Sequence, residues 1–215
     1  MNTFSKLLTV ATLLAAVAAT KASAELRHET GNGGYMLAYG QFDPAYLSVN
    51  DGASTTGKIV DNANSNSRVG FWYRQTTANG EFSINLETAL GLRSSGSVSQ
   101  NGAPNSINWQ RTNIRKVEAI WKDNHYGTIY LGQGSMTSDG ASGYDLSGTT
   151  LVLYNAIPDT AGKFRFRTTT GVLSSKTIGQ AFGSFDGGRK ARLRYDTPTF
   201  GGVRLSASYG EELLN

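Results

Sequence analysis

From Glu81 to Arg93 apolar and polar residues alternate along the chain. Phe82, Ile84, Leu86, Leu90 and Leu92 fall with Thr88 on one side; Glu81, Ser83, Asn85, Glu87, Ala89, Gly91 and Arg93 fall on the other. A period of two marks a β-strand, because successive side chains point to opposite faces. The run is more than twice the usual soluble strand of about five or six residues. About nine to eleven residues, tilted by about 45°, suffice to cross a bilayer. A chain built from such strands makes either a two-sheet sandwich or a wall with different solvents on its two faces.

The alternation recurs. Tyr35 to Val49 reads as a strand interrupted at Asp43-Pro44, since proline cannot donate to a ladder. Arg68 to Thr76 sets Val69, Phe71 and Tyr73 against Arg68, Gly70, Trp72 and Arg74. Arg111 to Lys122 ends on Val117, Ala119 and Trp121, and Thr128 to Gln133 follows. Arg189 to Asp196 sets Ala191, Leu193 and Tyr195 against Lys190, Arg192 and Arg194, and a last strand carries Val203, Leu205, Ala207 and Tyr209 on its apolar side. This predicts about seven strands. The connections 51–67, 94–110 and 134–188 are long, whereas 77–80, 123–127 and 198–202 are short. Alternate connections of an up-and-down meander emerge on one side, so all the long loops share one rim. The predicted fold is an all-β, antiparallel, up-and-down transmembrane β-barrel. Within the third long loop only Lys163 to Thr169 looks strand-like, and an unstructured connection of that length in a compact domain points to function or disorder.

The N-terminus limits where the chain acts. Lys6, an apolar run from Leu7 to Ala19, and Lys21-Ala22-Ser23-Ala24 predict a leader over 1–24, cleaved after Ala24. The apolar run is too short to span ~30 Å of hydrocarbon. The exported domain, 25–215, has no cysteine and must rest on packing or on a closed hydrogen-bond ladder. Formal charge falls from +4 to +2 once Lys6 and Lys21 leave with the leader, which gives no case for nucleic acid. His28 and His125 are the only histidines, and no nucleophile–base pair, metal-ligand spacing or phosphate loop stands near them. No enzyme is predicted, and no catalytic or metal-ligating residue. No cofactor is predicted either; scattered loop aspartates lack an EF-hand spacing, so Ca²⁺ on the acidic loops has no support.

Ordered pieces of the chain resemble the general bacterial porins, most closely those of α-proteobacteria. They are Tyr39-Gly40-Gln41-Phe42-Asp43-Pro44-Ala45-Tyr46-Leu47, Ser67-Arg68-Val69-Gly70-Phe71-Trp72, Leu86-Glu87-Thr88-Ala89-Leu90-Gly91, Gly127-Thr128-Ile129-Tyr130-Leu131-Gly132-Gln133, and Arg194-Tyr195-Asp196-Thr197-Pro198-Thr199-Phe200-Gly201-Gly202. The resemblance implies an outer-membrane homotrimer of barrels of about sixteen strands. Such barrels sit among lipid and lipopolysaccharide and pass small hydrophilic solutes and ions by passive diffusion. It also implies that the third long loop, 134–188, folds inward as a constriction, with acidic groups facing a basic wall.

Arg68 and Arg111 match wall arginines of the family, while Gly132-Gln133 replaces its common Gly-Arg. Parity adds Arg74, Lys190, Arg192 and Arg194 as basic lining, and Glu81 and Glu87 as acidic lining. Asp139, Asp145 and Asp159 are the acidic candidates on the loop, which also carries Lys163, Arg165 and Arg167. An odd strand count and a missing closing half imply an N-terminal portion of such a barrel that does not conduct alone. The alternative is a secreted β-rich adhesin or binding module using its long loops.

Overall fold

The computed structural model describes residues 24–150 and 156–214. In chain order its strands are β1 (Ala24–Gly31), β2 (Gly34–Gln41), β3 (Pro44–Asn50), β4 (Thr55–Asp61), β5 (Arg68–Thr77), β6 (Gly80–Ala89), β7 (Ile114–Asp123), β8 (Gly127–Ser135), β9 (Arg165–Arg167), β10 (Leu173–Thr177), β11 (Arg189–Asp196) and β12 (Ser206–Glu211). Eight of them form one antiparallel sheet in the order β1-β2-β5-β6-β7-β8-β11-β12, with β3–β4 and β9–β10 as separate hairpins. The all-β antiparallel architecture is as expected, and among the described residues no pairing joins β1 to β12, so the sheet is open. The expected leader lies outside the described residues except for Ala24, which opens β1.

The wall has one strand more than the sequence suggests. β1 reads Ala-Glu-Leu-Arg-His-Glu-Thr-Gly, with Leu26 its one large apolar residue, so it carries almost no alternation. It is recruited by a tight turn that pairs Gly31 with Gly34. The expected Tyr35–Val49 strand is two strands in different sheets. β2 stops at Gln41, and Asp43-Pro44 is the corner where the chain leaves the wall, held by the Asp43 amide donating to Ser67 Oγ at 2.9 Å. The expected loop 51–67 is correspondingly half hairpin, because β4 pairs with β3 along its length. β7 starts at Ile114, which leaves Arg111 in a 3-10 turn. β12 starts at Ser206, with Val203 and Leu205 in the approach to it.

The sheet is inverted relative to a soluble protein. Register places Met36, Tyr73, Ile84, Ala119, Leu131, Leu193 and Tyr209 in one row across seven strands. This face is open: Leu131 is 61% and Leu193 56% exposed. On the opposite face Asn85, Glu118, Arg192 and Asp196 are 0, 6, 5 and 2% exposed. Polar groups therefore pack against one another while the apolar side chains of the same strands face out.

The only cluster of buried apolar residues among those described is at the rim. Leu47 and Val60 from the β3–β4 hairpin meet Val98 from the second long loop and Ala161 and Phe164 from the third. The long loop thus has structure of its own: two short helices, Ile157–Ala161 and Ile178–Ala181, and the β9–β10 hairpin.

Candidate functional site

The polar face is organised around Glu87 of β6. The adjacent strands β5 and β7, and β2 beyond β5, bring it donors. Tyr39 of β2 donates its hydroxyl to Glu87 Oε2 at 2.8 Å, and Arg68 Nε of β5 lies 3.6 Å from the same oxygen. Arg115 Nε of β7 donates to Glu87 Oε1 at 2.5 Å, while its Nη1 donates to Asn66 Oδ1 at 2.9 Å. Arg115 shares parity with Val117 and by alternation belongs on the apolar face. The register shifts there: Glu87 pairs with Lys116 and Thr88 with Ile114, so Arg115 is the extra residue of a bulge and turns to the polar side.

Arg189, where the third long loop enters β11, completes a basic corner within electrostatic reach of Arg115, Asp139, Glu87 and Arg68. Lys116 faces Glu87 in the ladder, and Lys190 follows Arg189. Arg68, Arg115, Arg189 and Lys116 outnumber Glu87 and Asp139 and leave a net positive field at the long-loop end of the face.

Further down the wall the charges are matched. Arg192 is held by three hydrogen bonds: Nε to the Ser135 carbonyl at 2.7 Å, Nη1 to the Gly132 carbonyl at 2.9 Å, and Nη2 to Glu118 Oε2 at 2.6 Å. Gly134 makes room for the pair, since a Cβ there would stand 2.6 Å from Glu118 Oε2 and 2.8 Å from Arg192 Nη2. Arg194 grips Asp196 with both arms, at 2.8 and 2.9 Å, and the two guanidiniums lie 5.5 and 5.1 Å from the Tyr130 ring. Near the short turns Arg74 stands over Trp72 at 4.4 Å, with Nη1 3.8 Å from Glu81 Oε1.

The sequence-named residues therefore fall into different settings. Arg68 and Glu87 are part of the corner, with Lys190 next to it. Arg192 and Arg194 are neutralised struts, and Arg74 with Glu81 forms a second pair. Arg111 is exposed in its 3-10 turn. Asp139 reaches Arg189 electrostatically. Asp145 folds back onto Ser147, accepting from its amide and its hydroxyl, both at 2.8 Å. Asp159 sits in the helix Ile157–Ala161, where its carbonyl takes the Ser95 hydroxyl at 2.6 Å. Arg115, Arg189, Tyr39 and Asn66 were missed. The parity of Glu118 was readable; the bulge that turns Arg115 was not.

The third long loop is clasped to the other two at the rim. Arg167 Nη2 lies 2.8 Å from Asp51 Oδ2 in the β3–β4 turn. Gln100 pairs with the Arg165 backbone like one rung of a ladder, donating to its carbonyl at 2.7 Å and accepting from its amide at 3.0 Å. The Arg167 guanidinium, helped by the Ser54 amide, holds the Asp51 carboxyl well below the usual carboxylate range. Among the described residues no group of three His, Cys, Asp or Glu side chains is placed to hold a metal ion, and no helix is long and apolar enough to cross a membrane.

A family model described as Gram-negative porin matches residues 10–212. No curated protein and no solved structure matches the chain.

Proposed function

Because the chain belongs to the Gram-negative porin family, we propose that it lines a passive diffusion channel for small hydrophilic solutes and ions in the outer membrane. The observation that carries this reading is the inverted sheet, with Asn85, Glu118 and Arg192 buried on one face and Leu131 and Leu193 exposed on the other. Lipid solvates the second face, and water with its solutes fills the space beside the first. The lining consists of Arg68, Arg115, Glu87, Arg189 and Lys190 at the long-loop end, with Arg74 and Glu81 towards the short turns. Fixed charges of both signs favour dipolar, hydrated solutes over apolar ones, and no covalent step is involved. Residues 134–188 form the constriction, with Asp139 as its acidic group within electrostatic reach of Arg189. The apolar face meets lipid and lipopolysaccharide, and the assembled channel is a homotrimer.

The test is liposome swelling with the closed, assembled channel purified from outer membranes, because an open eight-strand wall leaves its edges unsatisfied in lipid and does not conduct alone. Influx of sugars that falls with solute size is expected. Liposomes that stay closed to the smallest sugars, or a protein that remains monodisperse without detergent, would overturn the reading.

A further inference from the structure

We propose that the basic corner holds a saturable site for a protonated oxyanion of the phosphate class. The proposal rests on the channel reading only for how the ligand arrives. A cleft of about 340 Å³ opens at the long-loop end of the polar face, lined among others by Asn66, Asn113, Arg115, Gln133, Arg189 and Glu212. It is large enough for one phosphate and its hydrating waters.

Two buried polar atoms in its lining have no hydrogen-bond partner among the described residues. One is a donor, Arg189 Nε, and the other an acceptor, Gln133 Oε1. Buried polar groups are almost always satisfied, so two such orphans of opposite kind in one cleft point to a ligand that serves both. They stand on adjacent strands. The β8–β11 ladder pairs Arg189 with Ser135 and Ala191 with Gln133, which makes Arg189 and Gln133 diagonal neighbours, about 7–8 Å apart at the backbone. Gln133 has the parity of Leu131, yet it is 8% exposed against 61%. Gly132 lies between them with φ +112°, a conformation that breaks the regular alternation.

The charges choose the ligand class and the orphan acceptor narrows it. Arg68, Arg115 and Arg189 surround Glu87, so the corner attracts an anion, and guanidiniums match the paired oxygens of a phosphate. Gln133 Oε1 requires a donor from that same anion. Chloride has none, and sulfate at neutral pH has none. Inorganic phosphate keeps at least one P–OH at neutral pH, so it can accept from Arg189 and donate to Gln133. Glu212 on the same lining accepts from the second hydroxyl of the dihydrogen form and disfavours more highly charged forms.

The experiment titrates inorganic phosphate and sulfate into the detergent-solubilised protein at neutral pH, read by calorimetry and, for phosphate, by ³¹P NMR. Saturable phosphate binding, at least about tenfold tighter than sulfate, is expected from one satisfied hydrogen bond. Arg189→Gln weakens both ions, whereas Gln133→Lys replaces the acceptor by a donor and brings their affinities together. Circular dichroism checks that each variant is folded, and Gln133→Leu serves if the lysine variant is not. Equal affinity for the two ions in the parent protein, or uptake that never saturates, overturns the site. Size-graded swelling without saturable binding removes the site and keeps the channel. Saturable binding without swelling does the reverse.

Discussion

Arg192 and Glu118 show how much a wall position depends on its partner. Each side chain is under 5% exposed, at 2 and 4%, so neither charge has solvent to fall back on. Removing one partner of a buried pair leaves the other uncompensated, typically at about 3–5 kcal/mol. Glu118→Gln should therefore lower unfolding stability in detergent by about 3 kcal/mol, whereas replacing both residues by leucine and methionine should recover most of the loss. Equal loss in the single and double variants would show that packing, not charge, is what the pair supplies. Gly134→Ala should act in the same direction, since its methyl meets both charged groups. This pair was half legible. Alternation sends Arg192 and Glu118 to one face, but register is set by pairing across strands that are far apart in sequence. Arg115 was illegible for a sharper reason: a single inserted residue reverses the face, and nothing in the local pattern Ile-Arg-Lys-Val marks the bulge.

The elements of the rim behave as one clasp. The β3–β4 hairpin, the second long loop and β9 are joined by the Asp51–Arg167 pair, the Gln100 rung and the small core around Phe164. Because the Asp51 carboxyl is depressed in the folded state, the stability it contributes is complete above its unfolded value of about 3.9 and is lost as pH falls through the lower folded value. Hydrogen exchange of the amides from Lys163 to Thr177 should be severalfold faster in Asp51→Asn than in the parent at neutral pH. In the variant the acid-induced loosening of this segment should be absent. Unchanged exchange would mean that the core alone holds the loop. The alternation Lys163-Phe164-Arg165-Phe166-Arg167 does foretell a short strand, and β9 is there. Its partner β10, Leu-Ser-Ser-Lys-Thr, has too few apolar residues to announce itself. The burial of Phe164, at 1% exposed, depends on two loops distant in sequence.

At the scale of the whole molecule the apolar row through Leu131 and Leu193 marks the middle of the lipid-facing wall. An arginine at the bilayer midplane of such a wall costs about 2–4 kcal/mol, and one on the water side much less. Leu131→Arg should show that loss in urea unfolding from lipid vesicles. Ile120→Arg should cost far less, because Ile120 pairs with Ser83 and Tyr130 on the polar side. Similar losses at both positions would contradict the assignment of faces. The eight-strand count also has a consequence for closure. Neighbours alternate in direction, so the first and last strands of an eight-membered sheet run opposite ways. A fully antiparallel cylinder needs an even total. Whatever completes this wall must therefore add an even number of strands, including none, for the two free edges to meet in the right sense. With seven, the complement would have had to be odd.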